Sequence, residues 1–150
     1  MAAHPVVRFL EGEGTDARGR SVFDVISMND VAIERTHDFI QWLFPLPEPS
    51  AAIPDSPVLT PQAIQDIRVS ELAPIALAAG TDRMAAFYQA THEWLMPNDH
   101  NHRRITRIIR SLRLLVGDAE ADAFHAFIMA RVEATQAPVS VRSRGYWATA

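Results

Sequence analysis

HNHRRITRIIRSLRLLV, residues 100–116, sets Ile105, Ile108, Ile109, Leu112, Leu115 and Val116 on a single arc at about 100° per residue. Arg103, Arg107 and Arg110 lie together on the opposite face, flanked by Arg104 and Arg113. This is the period of an amphipathic helix, with Pro97-Asn98-Asp99 as its turn and cap and Gly117 as its stop. Downstream, Asp118 caps a further helix over 119–135 carrying Phe124, Phe127, Ile128 and Val132, and 138–150 is a tail in which Tyr146 and Trp147 are placed to dock.

Upstream, a helix is expected over 29–44, where Ile33, His37, Ile40 and Phe44 form one stripe, Asn29 or Asp30 caps, and Pro45 stops it. Six of the ten prolines then fall between Pro45 and Pro61, which predicts a stiff, extended connection lying along the body through Leu46, Ile53, Val58 and Leu59. Thr60-Pro61 opens a helix over 61–69, and Ser70 caps the next, which carries Met84, Phe87 and Tyr88 as core with a break at Gly80-Thr81. Val6 to Leu10 reads as a strand or a helical turn, and Gly12, Gly14 and Gly19 as a turn. No strand pair and no internal repeat is evident, so the fold class is all-α: five or six helices in one domain over 1–150, with a core at 5–135 and a proline-rich connection after the second helix.

The 150 residues suit one domain, and the 48% hydrophobic content excludes disorder for most of the chain. The lack of cysteine excludes a disulfide scaffold, a thiolate metal site and a cysteine nucleophile. No apolar run reaches the length of a spanning helix. MAAHPVVRFLEGEG has neither the basic start nor the long apolar run of a signal peptide, so the expected compartment is the cytoplasm. All 14 basic residues are arginine; residues 1–99 hold 14 acids against 6 arginines (net −8), and 100–150 hold 4 against 8 (net +4). Arginine is the cation whose planar fork suits carboxylate and phosphate.

Three constellations bear on chemistry. Arg103 and Arg104 stand in the first turn of their helix, where the dipole opposes them by a few tenths of a kcal/mol each. Acidic partners within the chain or an anionic ligand would favour them; nucleic acid would not be expected, because the chain is acidic and no aromatic residues alternate with these arginines. Glu34-x-x-His37 has the i, i+3 spacing by which helical bundles hold a metal, and His92, His100 and His102 could add ligands. The pair occurs once, and a histidine on an apolar stripe is otherwise a hydrogen-bonded core residue; His100 and His102 otherwise do capping or surface work. Gly12-x-Gly14-x-x-Ala17 lacks the strand–turn–helix setting of a dinucleotide fingerprint, and neither a nucleophile elbow nor a phosphate loop is present.

The stretches Glu34-Arg-Thr-His-Asp-Phe-Ile-Gln-Trp-Leu-Phe-Pro-Leu-Pro47 and His100-Asn-His-Arg-Arg-Ile-Thr-Arg-Ile-Ile-Arg-Ser-Leu112, with Met84 to Tyr88 between them, resemble the conserved N-terminal domain of the opioid growth factor receptor family over 5–135. The resemblance implies a helical domain which, in animal receptors, is associated with enkephalin binding and growth regulation at the nucleus. It maps no catalytic residue. The chain looks like a bacterial stand-alone copy of that domain. The two motifs direct attention to Gln41, Trp42, His100, Asn101, Arg104 and Arg107 as ligand contacts, with the Gln41–Trp42 end and the Arg104/Arg107 face sharing a cleft, and to Glu34 and His37 as metal ligands. The expected role is a non-enzymatic binding module, without a cofactor, for a small anionic molecule, a peptide or a protein partner. The alternatives are a metal-dependent enzyme and a structural domain that forms homodimers.

Overall fold

The helix over 61–69 begins where the sequence places it. Pro61 occupies the first helical position, where its missing N–H is no loss, and the Thr60 hydroxyl accepts from the Ala63 N–H at 3.1 Å. In the computed structural model, which describes residues 3–150, this helix is one of nine among the described residues, none of which is in a strand. The first two residues of the expected leaderless N-terminus lie outside the described residues. The chain divides into two compact units, residues 1–80 and 81–150.

The first unit holds α1 (Pro5–Leu10), α2 (Val22–Ile26), α3 (Asp30–Arg35), α4 (Ile40–Leu43), α5 (Pro61–Val69) and the first turns of α6 (Ala73–Ala90). Helix α1 settles the Val6–Leu10 run as helical and packs against α4 and α5. Phe9 meets Trp42 edge to face at 5.7 Å, and Ile33, Phe39, Leu43, Phe44, Ile67 and Leu77 are buried as well. Within α6, which runs unbroken through Gly80-Thr81, Gly80 lies hard against Leu43. Of the proline-rich connection, Leu46 and Leu59 are buried and tied by a Leu59 N–H to Leu46 carbonyl bond of 3.0 Å, whereas Ile53 is half-buried and Val58 exposed.

The expected single helix over 29–44 is two helices, α3 and α4, separated at residues 36–39. Two interactions account for the break. Thr36 turns extended at the end of α3, and the Asp38 carboxylate is held by Arg20 Nη2 at 2.8 Å and Arg18 Nε at 2.9 Å, a position that a continuous helix would have to give up. The Gln41 side-chain amide then donates to the His37 carbonyl at 3.0 Å and satisfies an acceptor that helical continuation would otherwise have used. Ile33, Ile40 and Phe44 remain buried, but His37 is exposed and is no core residue.

The second unit contains the rest of α6, then α7 (His100–Leu115), α8 (Asp118–Thr135) and α9 (Val141–Ala148), with α7 packed on both α8 and α9. The helix count exceeds five or six because the 29–44 segment is split and the N-terminal turns and the tail are themselves helical. Asp99 caps α7 by accepting the Asn101 N–H at 2.9 Å. Gly117, at φ 143°, and not Asp118, is the residue before the first turn of α8; this is a backbone region that favours glycine. Tyr88 and Trp94 stack edge to face at 5.2 Å, and the Trp94 indole donates to the Tyr88 carbonyl at 3.1 Å. No helix among the described residues is long and apolar enough to cross a membrane.

Candidate functional site

The arginines of α7 do not form one solvated face. Asn101, Arg104, Ile108, Ser111 and Leu115 recur every three or four residues and are all buried, a second inward stripe beside Ile105, Ile109 and Leu112. Arg104 is only 6% exposed, Arg107 and Arg110 are half-buried, and Arg103 is exposed. Val116, placed on the apolar arc by its spacing, ends the helix 42% exposed.

Helix α9 docks on α7 through His102. The His102 Nε2 lies 2.7 Å from the Trp94 carbonyl, which only accepts, so Nε2 carries the proton. In the neutral ring Nδ1 is then the acceptor, and the Ser143 hydroxyl donates to it at 2.8 Å. The Trp147 indole donates to the His102 carbonyl at 3.0 Å and meets the imidazole edge to face at 5.2 Å. His102 is 5% exposed and Trp147 1%, so the expected surface or capping role of His102 gives way to a structural one, and the tail docks by its indole as its composition suggests.

Between the two helices opens a cleft of about 750 Å3, lined by Arg103, Thr106 and Arg110 of α7, by Arg142, Ser143 and Tyr146 of α9, and by Asn98, Asp99, His100 and His102. Arg103 makes no ion pair among the described residues. Arg142 meets no carboxylate there either; its guanidinium lies 5.7 Å from the Tyr146 ring centre and its Nη2 donates to the phenol oxygen at 3.5 Å. The single acid of the lining, Asp99, has one oxygen committed to the Asn101 N–H and 3.7 Å from His100 Nδ1. Arg113, on the same helix, shows the contrast: it holds Asp118 and Asp122 at 2.8 Å each, and those hydrogen bonds raise its pKa further. The cleft is therefore a concave surface lined by three arginines and a single acid.

Of the residues singled out from sequence, His100 lines this cleft. Asn101 is buried and accepts the Tyr88 phenol at 3.2 Å, and Arg104 lies on the same inward side. In the first unit, Trp42 is a core anchor on Phe9, and Gln41 is buried with its Oε1 lacking a partner among the described residues. Glu34 sits in α3 but His37 lies beyond its end, so the i, i+3 helical geometry that suggested a metal pair is absent. His37 instead lines an open depression of about 500 Å3 with Arg18, Arg20, Arg35 and Asp38. Arg142 and Ser143 escaped sequence reading, and Tyr146, expected to dock with Trp147, is instead exposed and lines the cleft; the Arg142/Tyr146 spacing of four on a docked helix was the available signal.

Residues 24–93 match the family model described as the opioid growth factor receptor (OGFr) conserved region. The match takes in the first motif and the Met84–Tyr88 helix and ends before the 100–112 motif, so it is shorter than the 5–135 resemblance and leaves the α7–α9 cleft outside it. No curated protein and no solved structure matches the chain.

Proposed function

We propose that this protein, opioid growth factor receptor-like over residues 24–93, is a binding module for an anionic ligand, which enters the cleft between α7 and α9. The observation that supports this reading is that Arg103 and Arg142 line one cleft and neither has a carboxylate partner among the described residues. Hydrogen bonds from a guanidinium to an anion are charge-assisted and contribute about 1.5–3 kcal/mol each. The anion is a free small molecule or a group carried by a peptide or protein partner. Gln41, Trp42, Asn101, Arg104 and Arg107 keep a place as candidate contacts on their sequence motifs alone.

Titration calorimetry and thermal shift with phosphate, malonate and citrate at low ionic strength test the reading. At least one anion should raise the melting temperature, and Arg103→Ala and Arg142→Ala should each weaken its binding roughly tenfold to a hundredfold. Anions that leave the protein's melting unchanged at millimolar concentration would overturn it.

A further inference from the structure

We propose that the ligand of the α7–α9 cleft is a phosphomonoester of a small, polyhydroxylated molecule; the inference rests on the anion-binding reading above. The donors of the cleft come from more than one direction. Arg103 comes from α7, while Arg142 and the Tyr146 phenol come from α9, so donors line two different walls. A carboxylate holds its two oxygens in one plane, where a single guanidinium fork pairs with both. A phosphate monoester points three oxygens apart and accepts from more than one side at once, which is what two facing walls of donors provide.

The cleft also holds groups that can only accept. The Ser143 hydroxyl gives its proton to His102 Nδ1 at 2.8 Å, and the Thr106 hydroxyl gives its own to the His102 carbonyl at 3.1 Å. Both hydroxyls are therefore left with lone pairs only, and both residues line the cleft together with the Asp99 carboxylate. These acceptors have nothing to offer a phosphate, and the Asp99 charge repels one; they suit the hydroxyl groups of an organic remainder. A recess of about 750 Å3 lies in the usual range of small-molecule sites and exceeds what a bare phosphate fills.

Calorimetry with four probes decides the matter: glucose 6-phosphate, glucuronate, inorganic phosphate and glucose. Glucose 6-phosphate should bind at least tenfold more tightly than each of the other three. Arg142→Ala should weaken it at least tenfold, and Thr106→Val should weaken glucose 6-phosphate while leaving inorganic phosphate unchanged; melting curves of both variants check that they fold. Glucuronate binding as tightly as glucose 6-phosphate would overturn the phosphate assignment and leave the anion reading standing. Inorganic phosphate binding as tightly would overturn the organic part. Should none of the probes bind, nor any anion of the earlier panel, both proposals fall together.

Discussion

At Asp38, burial pushes the carboxyl pKa up, but the hydrogen bonds and charges of Arg20 and Arg18 outweigh it and hold the group below the usual carboxylate range. Arg20 is stripped of solvent in turn, and Asp38 and Asp16 more than compensate, Asp16 through a fully buried carboxylate 2.6 Å from Arg20 Nε. A carboxyl whose folded pKa is depressed stabilises the fold above its unfolded value of about 4, and that contribution disappears as pH falls through the lower folded value. Asp38→Asn should therefore cost about 1 kcal/mol at neutral pH. The gap between variant and parent in urea unfolding should close in strong acid, and a gap that stays constant from pH 7 to pH 2 would contradict the assignment. The single-residue roles are where sequence reading was weakest. His37 and His102 are both histidines at plausible helical positions, yet one is exposed in a bend and the other anchors a helix, because the partners that decide (Arg20 on Asp38, Ser143 and Trp147 on His102) come from distant chain positions.

Helices with local signals were legible. The Thr60-Pro61 start, the Ser70 cap and the Asp99 cap all act as their residue types predict. The 29–44 helix was overextended since its apolar period continues through residues 36–39 while tertiary ion pairs break it there. The break expected at Gly80-Thr81 failed for the opposite reason: glycine is present for clearance, not for a bend. A Cβ on Gly80 would lie 2.8 Å from Leu43 Cδ1 and 3.0 Å from its Cδ2 and Cγ, in a buried side chain with little room to withdraw. Alanine ordinarily favours a helix over glycine by up to about 1 kcal/mol. Here Gly80→Ala should instead destabilise by about 1–2 kcal/mol through overpacking. Paired Gly80→Ala/Leu43→Ala should lose less than the sum of the two single changes, because Leu43→Ala vacates the contested space. Strict additivity would show that the clearance is not what the glycine supplies.

At the scale of the whole chain, the net charge of −4 is split into an acidic stretch of 99 residues and a basic one of 51. The basic excess taken alone suggests a nucleic-acid surface, yet Arg104 is buried and Arg113 is engaged with two aspartates, so these two cations are not open to a phosphate backbone. Mobility-shift assays with single-stranded RNA and duplex DNA at about 150 mM salt should show no retention; retention that survives that salt would require a different reading of α7. The all-helical class was legible because two strongly periodic segments and their capping residues point the same way. The cleft was not, since it depends on the tail folding back as α9, which an isolated 13-residue stretch with one indole and one phenol only hints at.

That folding back makes the protein its own optical instrument. The three indoles, Trp42, Trp94 and Trp147, are each at least 92% shielded, and they sit at separate stations: on Phe9, on Tyr88 and against the His102 ring. A variant that retains Trp147 alone would emit in the blue while the terminal helix is seated and redden when it lifts, so motion of one wall of the recess could be followed by light without attaching a dye.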